Sequence, residues 1–156
     1  MSISPIFDDT ALTMHRQHLK NILTLRDKVL SQDVSRRRSD QVRTQTKLAA
    51  YNSTIEDLNR VVREYLNLRS GLVRKFPLPT LDDIGVVLIQ ARIARGWSQA
   101  ELADSLGTTP QDIVKAEADF YRRATLNERQ KVAEALGLHI QGRQAVLRKL
   151  SQCPTG

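Results

Sequence analysis

The sequence predicts an all-α protein in two parts: an antiparallel helical hairpin or coiled coil, then a domain of four to five short helices. Three observations predict it. Apolar residues from Leu48 to Tyr65 recur at alternating steps of three and four, the a/d seam of a coiled coil. Four boxes of the form Ser/Thr-x-x-Asp/Glu follow one another between Thr80 and Glu128. Gly96, Gly107 and Gly137 fall where the intervening helices should stop.

Residues 8–30 open with Asp8 and Asp9, which suit a helix N-terminus. Leu12, His15, Leu19, Ile22, Arg26 and Val29 then mark a narrow stripe at helical spacing. The polar stretch SQDVSRRRSD breaks the pattern, and a second helix runs to about Arg69. Its seam is Leu48, Tyr51, Ile55, Leu58, Val62 and Tyr65. Neither stripe tolerates exposure, so residues 1–70 read as a hairpin packed on a second copy, with Leu48, Ile55, Leu58, Val62 and Tyr65 as dimerisation residues. Poor helix formers at Tyr51–Thr54, and a box from Ser53 to Glu56, allow a kink or restart there.

Residues 71–80 read as a linker. Gly71 can close the long helix, and Pro77 and Pro79 forbid its continuation. Leu72, Val73, Phe76 and Leu78 are too apolar for a loose tether, so the linker is expected to lie against one of the domains. The domain itself spans 81–150. The boxes Thr80–Asp83, Ser98–Glu101, Thr109–Asp112 and Thr125–Glu128 place helices at 81–95, 98–106, 109–118 and 125–136. Trp97 and Leu102 form a hydrophobic staple, and Pro110 occupies the first helical position, where its missing N–H is harmless. QGRQAVLRKL is a candidate further helix, and Arg92 and Arg95 read as surface residues ending helix 81–95.

Helices 98–106 and 109–118 are joined by Gly107-Thr108, a turn short enough to fix a large crossing angle. Leu102, Ala103, Leu106, Ile113 and Ala116 are the expected core between them, with Ala103 permitting close approach.

These residues carry a resemblance. Leu88–Gly96, the run Ser98-Gln99-x-Glu101-Leu102-Ala103, Leu106-Gly107, Ile113, Glu117 and Val132-Ala133-x-Ala135-Leu136-Gly137 resemble the XRE-type, lambda-repressor-like helix-turn-helix regulators of bacteria and phages. The hairpin is also similar, less closely, to the helical extension of a regulator subgroup. The resemblance implies double-stranded DNA as partner, with helix 109–118 in the major groove. Gln111, Lys115, Val114 and Asp112 are then the base-contact candidates, and Gln99, Arg122, Arg123 and Asn127 the phosphate contacts. Gln99 would also brace the next helix. The chemistry is compatible, because glutamine can bind adenine bidentately, lysine suits guanine or phosphate, and helix N-termini offer amides to phosphates. Asp112 reads first as the cap partner of Thr109, although an acid there can accept from a cytosine amino group. Val114 reads equally as partly buried or as a thymine-methyl contact. Glu117 is expected to pair within the domain, and Pro110 departs from a position where the family often carries glutamine.

The placement of charge weakens the simple inference from a basic chain to DNA binding. The chain has a net charge of +7, but residues 81–137 hold seven Lys and Arg against nine Asp and Glu. The excess lies in residues 1–80, including Arg36–Arg38, and in the tail with Arg143, Arg148 and Lys149. The triple arginine reads as a phosphate clamp or a solvated bend. A lone Cys153 excludes a disulfide framework within one chain or a cysteine-based metal site, and His15, His18 and His139 form no ligand cluster. No cofactor or metal is expected. There is no paired-carboxylate, nucleophile–base or phosphate-loop constellation, so an enzyme is disfavoured. Without a leader-like or membrane-spanning apolar run, the expected place is the cytoplasm, nucleoid-associated in a bacterial or phage setting. Two functions remain. One is a homodimeric, sequence-specific transcriptional regulator. The other is an antitoxin or adaptor whose hairpin holds another protein, a toxin or assembly component.

Overall fold

A computed structural model describes residues 5–32 and 38–148, which fold as six α-helices and one three-stranded sheet. The chain separates after Tyr65 into two units.

The first unit is a pair of long helices. In α1 (Asp9–Ser31) the extended residue Asp8 caps the start, its carboxylate accepting from the Ala11 amide at 2.6 Å. The expected stripe is the sheltered face: Leu12 is buried, and His15, Leu19, Ile22, Arg26 and Val29 are half-buried. The second helix, α2 (Arg38–Arg69), is continuous. The candidate restart at Tyr51–Thr54 does not occur. The Thr54 hydroxyl donates to the Ala50 carbonyl one turn back at 3.0 Å, so a poor helix former is satisfied inside the helix. Along the seam Leu58 and Tyr65 are buried, together with Val61, while Leu48, Tyr51, Ile55 and Val62 are half-buried. The Tyr65 hydroxyl donates to the Asp9 carboxylate at 2.9 Å, which joins the end of α2 to the start of α1 and sets the two helices antiparallel. Of the triple arginine, Arg36 and Arg37 lie outside the described residues, as does Lys149 of the tail.

The second unit is built around its caps. Leu81–Asp83 forms a 3-10 turn that leads into α3 (Ile84–Ala94), followed by α4 (Gln99–Leu106), α5 (Pro110–Ala118) and α6 (Leu126–Ala135). All four boxes form, each with the hydroxyl facing the third amide and the acid facing the cap amide. Gly107 closes α4 in left-handed conformation with φ +67, which a residue bearing a Cβ adopts only under strain. Leu102 and Ala103 of α4, Ile113 of α5, Val132 and Leu136 are buried, and Val87 and Leu88 of α3 complete this core. Ala103 has no exposed surface, so α4 and α5 meet there at the distance a methyl group allows.

Two stretches differ from expectation. QGRQAVLRKL is not a helix: Leu138–Gln141 (β2) and Gln144–Leu147 (β3) pair antiparallel around Gly142-Arg143. Gly142, at φ +62, takes the first central position of a two-residue hairpin, where glycine is favoured. Within 71–80, Lys75–Pro77 forms β1 and pairs with the far side of β3, giving the order β1-β3-β2. The register places Phe76, Ala145, Leu147 and Leu138 on one face, and all four are buried. Arg95 ties this sheet to the helices. Its guanidinium donates to the Leu136 carbonyl at the end of α6 and, at 2.7 Å, to the Arg148 carbonyl after β3. Arg95 is therefore half-buried rather than a plain surface residue, its guanidinium held on two carbonyls beyond its own helix.

The caps carry a testable signature. Hydrogen bonds from Ser98, from Thr109 and Thr108, and from Thr125 hold the carboxyls of Glu101, Asp112 and Glu128 below their ordinary range. A depressed folded-state pKa adds stability that is complete above the unfolded value and lost as pH falls through the folded one. Melting temperature should therefore fall as pH drops from about 5 to about 3. Glu101→Gln and Glu128→Gln should each flatten that curve; an unchanged slope would show that the caps do not supply it.

Candidate nucleic-acid interface

The face that α5 offers to solvent follows from what it buries. Ile113 and Glu117 point inward, so Gln111, Val114 and Lys115 are left outside together, with Val114 47% exposed. Pro110 and Asp112 flank them at the helix start, both exposed. Val114 is thus exposed rather than buried. Asp112 is engaged in the cap: one carboxylate oxygen accepts from the Thr109 hydroxyl at 2.7 Å, the Thr108 hydroxyl at 3.0 Å and the Thr109 amide at 3.4 Å.

What fixes the angle of α5 lies underneath. Arg92 of α3 is buried, contrary to a surface position, and makes a bidentate pair with Glu117: Nε to Oε1 and Nη2 to Oε2, both at 2.6 Å. Its Nη1 donates to the Trp97 carbonyl at 2.8 Å. Glu117 also receives the Gln99 side-chain amide at 2.8 Å. Sequence spacing puts Arg92 at the end of its helix; what it conceals is that the turn after α3 folds α4 and α5 back over that end. Gln99 is half-buried and braces α5 through Glu117. Beside the pair, burial and then the Glu117 carboxylate push the Tyr121 phenol up.

The loop after α5 exposes its cations. The Arg123 side chain is 94% exposed and lies 3.6 Å from the Asp119 carboxylate. Arg122 is exposed, its guanidinium 5.8 Å from the centre of the Phe120 ring. Asn127 is exposed in the first turn of α6. One residue that sequence reasoning missed is Arg129 of α6. It donates to the Tyr121 carbonyl at 2.9 Å and the Arg122 carbonyl at 3.0 Å, and no spacing rule signals a contact with backbone across a loop. The groove between α5 and α6, about 420 Å³, is lined by Lys115, Arg123 and Lys131 but equally by Asp112, Asp119 and Glu128, so its charge is balanced.

The predicted dimerisation residues lie elsewhere, in the first unit. Leu58 and Tyr65 are buried within a single chain and out of a partner's reach, whereas Leu48, Ile55 and Val62 retain exposed surface. Among the described residues no helix is long and apolar enough to cross a membrane, and no cluster of three or more His, Cys, Asp or Glu residues is placed to hold a metal ion.

Residues 88–142 match the family model described as helix-turn-helix, a family of DNA-binding regulatory domains of the XRE type. No significant match exists to a curated protein or to a solved structure.

The ion pair yields a clear expectation. Arg92→Met should destabilise the protein by about 3–5 kcal/mol, because Glu117 is then buried without its cation. Arg92→Met combined with Glu117→Leu should recover most of that loss in urea unfolding. Two single losses that simply add would show that the pair is not one unit.

Proposed function

We propose, from the premise that residues 88–142 are an XRE-type helix-turn-helix domain, that the chain is a sequence-specific double-stranded DNA-binding regulator. The observation that carries it is the solvent face of α5. Gln111, Val114 and Lys115 stand clear on a helix whose start is capped and whose axis is held by a buried ion pair. Glutamine offers a donor and an acceptor to adenine, lysine a donor to guanine, and valine an apolar contact for the thymine methyl. Gln99, Arg122, Arg123 and Asn127 grip phosphates on either side. Asp112 orders the helix start rather than reading a base. The chain acts as a homodimer through its hairpin, using Leu48, Ile55 and Val62, while Leu58 and Tyr65 serve the hairpin itself. Its recognition helices then enter successive major grooves about 34 Å apart. It works in the cytoplasm, on the nucleoid, without a cofactor.

A second reading is an antitoxin or adaptor that acts mainly by protein contacts. It is favoured by Met14, Leu25, Leu30 and Val42, which are exposed on the hairpin.

Binding to genomic fragments, titrated at low and moderate salt, tests the first reading. Arg122→Ala should weaken binding evenly across sequences and reduce the salt slope by about 0.9. Gln111→Ala should relax preference at one base pair, costing about 1–3 kcal/mol on the best site. Binding without salt dependence or sequence preference would leave the second reading. For assembly, Ile55→Asp should convert the dimer to a monomer by solution mass; an unchanged mass would place the interface elsewhere.

A further inference from the structure

Past the end of α5 the backbone does what side-chain-bearing residues avoid. Phe120 and Tyr121 both take left-handed conformation, at φ +57 and +56. Two such residues in succession persist only where the surroundings hold them. Contacts from three sides do so: α5 itself, Gly85 of α3 and Arg129 of α6. The Tyr121 amide donates to the Ala116 carbonyl at 2.6 Å and the Phe120 amide to the Glu117 carbonyl at 3.0 Å, closing the end of α5. The Phe120 carbonyl passes over Gly85 of α3, where a Cβ would stand 1.8 Å from its oxygen. From the other side Arg129 sets its guanidinium on two successive carbonyls, those of Tyr121 and Arg122.

The outcome is a bend that turns Arg122 and Arg123 outward. Arg122 lies over the Phe120 ring, and Arg123 is almost wholly exposed. Arg129 itself is half-buried, with its Nε and Nη2 donating to the loop. We propose that Arg129 is the positioning residue of the phosphate grip: it holds the left-handed bend that aims Arg122 and Arg123. This rests on the DNA-binding reading above. The role needs arginine in particular, since a planar guanidinium spans two acceptors that the point charge of a lysine cannot hold in one plane.

The full chain, free and with a mixed-sequence DNA duplex, tests this between about 50 and 200 mM salt. Arg129→Lys keeps the charge and Arg129→Met removes it. Both should raise Kd about tenfold, the loss of one charge-assisted contact, and lower the salt slope by about 0.9 for each phosphate released. In the free protein, amide exchange at Tyr121 and Arg122 should quicken in both variants while the helical signal stays. Adding Arg129→Met to Arg122→Ala and Arg123→Ala should change binding no further. Wild-type Kd and slope in Arg129→Lys overturn the proposal, since charge alone would then suffice. Additive loss in the triple variant overturns it too, because Arg129 would be gripping DNA directly. Unchanged exchange overturns the holding role even where the chain binds DNA. Absence of salt-dependent binding by the wild-type chain, whatever the exchange, sinks the DNA reading and the grip with it.

Discussion

The helix-turn-helix depends on one buried contact, the two-pronged pair of Arg92 and Glu117. Taking two ions out of water costs several kcal/mol for each, and their attraction offsets that only when the remaining donors and acceptors are also met. Here the Trp97 carbonyl and the Gln99 amide meet them. Three helices are thereby joined at one point: α3 supplies the cation, the first residue of α4 an amide, and α5 the carboxylate. An apolar cluster of the same volume is often as stable. It would not dictate the crossing of α5, whereas a planar guanidinium facing a carboxylate accepts a narrow range of angles. The exposed stripe of Gln111, Val114 and Lys115 inherits its direction from that geometry.

The acids of the second unit look different once placed. Asp83, Glu101, Asp112 and Glu128 each face the amides of their own helix start, and Glu117 is neutralised inside. Five of the nine acids of residues 81–137 are thus committed to helix starts or to the buried pair. Four of those carboxylates complement helix dipoles, where negative charge belongs. The cations of the loop, by contrast, are exposed, and the ion pair of Arg123 with Asp119, at 3.6 Å, is open to solvent. Local charge placement, rather than the sum, is what makes the domain compatible with a phosphate backbone.

Much of this was legible in sequence because it is local. A capping box needs two residues three apart, and a left-handed stop needs glycine, so α4, α5 and α6 fall within one residue of the expected bounds. The stripe of α1 is likewise the face that its period marks. The hairpin of β2 and β3 had a signal, Gly142-Arg143 between short alternating runs, but the run from Gln141 to Leu150 also fits a helix. Pairing with β1 decides between them, and β1 lies more than sixty residues earlier in the chain. Arg92 misled for a related reason: a cation near a helix C-terminus ordinarily stays in water, and only the return of α5 supplies an anion to bury with it.

The sequence by itself determined where α4, α5 and α6 begin and end and which residues of α5 could face outward, because caps, stops and helical period act within a few residues. Tertiary structure alone decided which of the candidate cations are tied to the fold and which are left exposed. Arg92 and Arg95 end on a carboxylate or on carbonyls contributed by distant segments, and Arg129 on two carbonyls of the loop before its helix, whereas the guanidinium groups of Arg122 and Arg123 are exposed. All five are the same side chain, with the same charge and reach. What separates them is the set of acceptors that folding brings within hydrogen-bond distance, and that set is a property of the assembled fold.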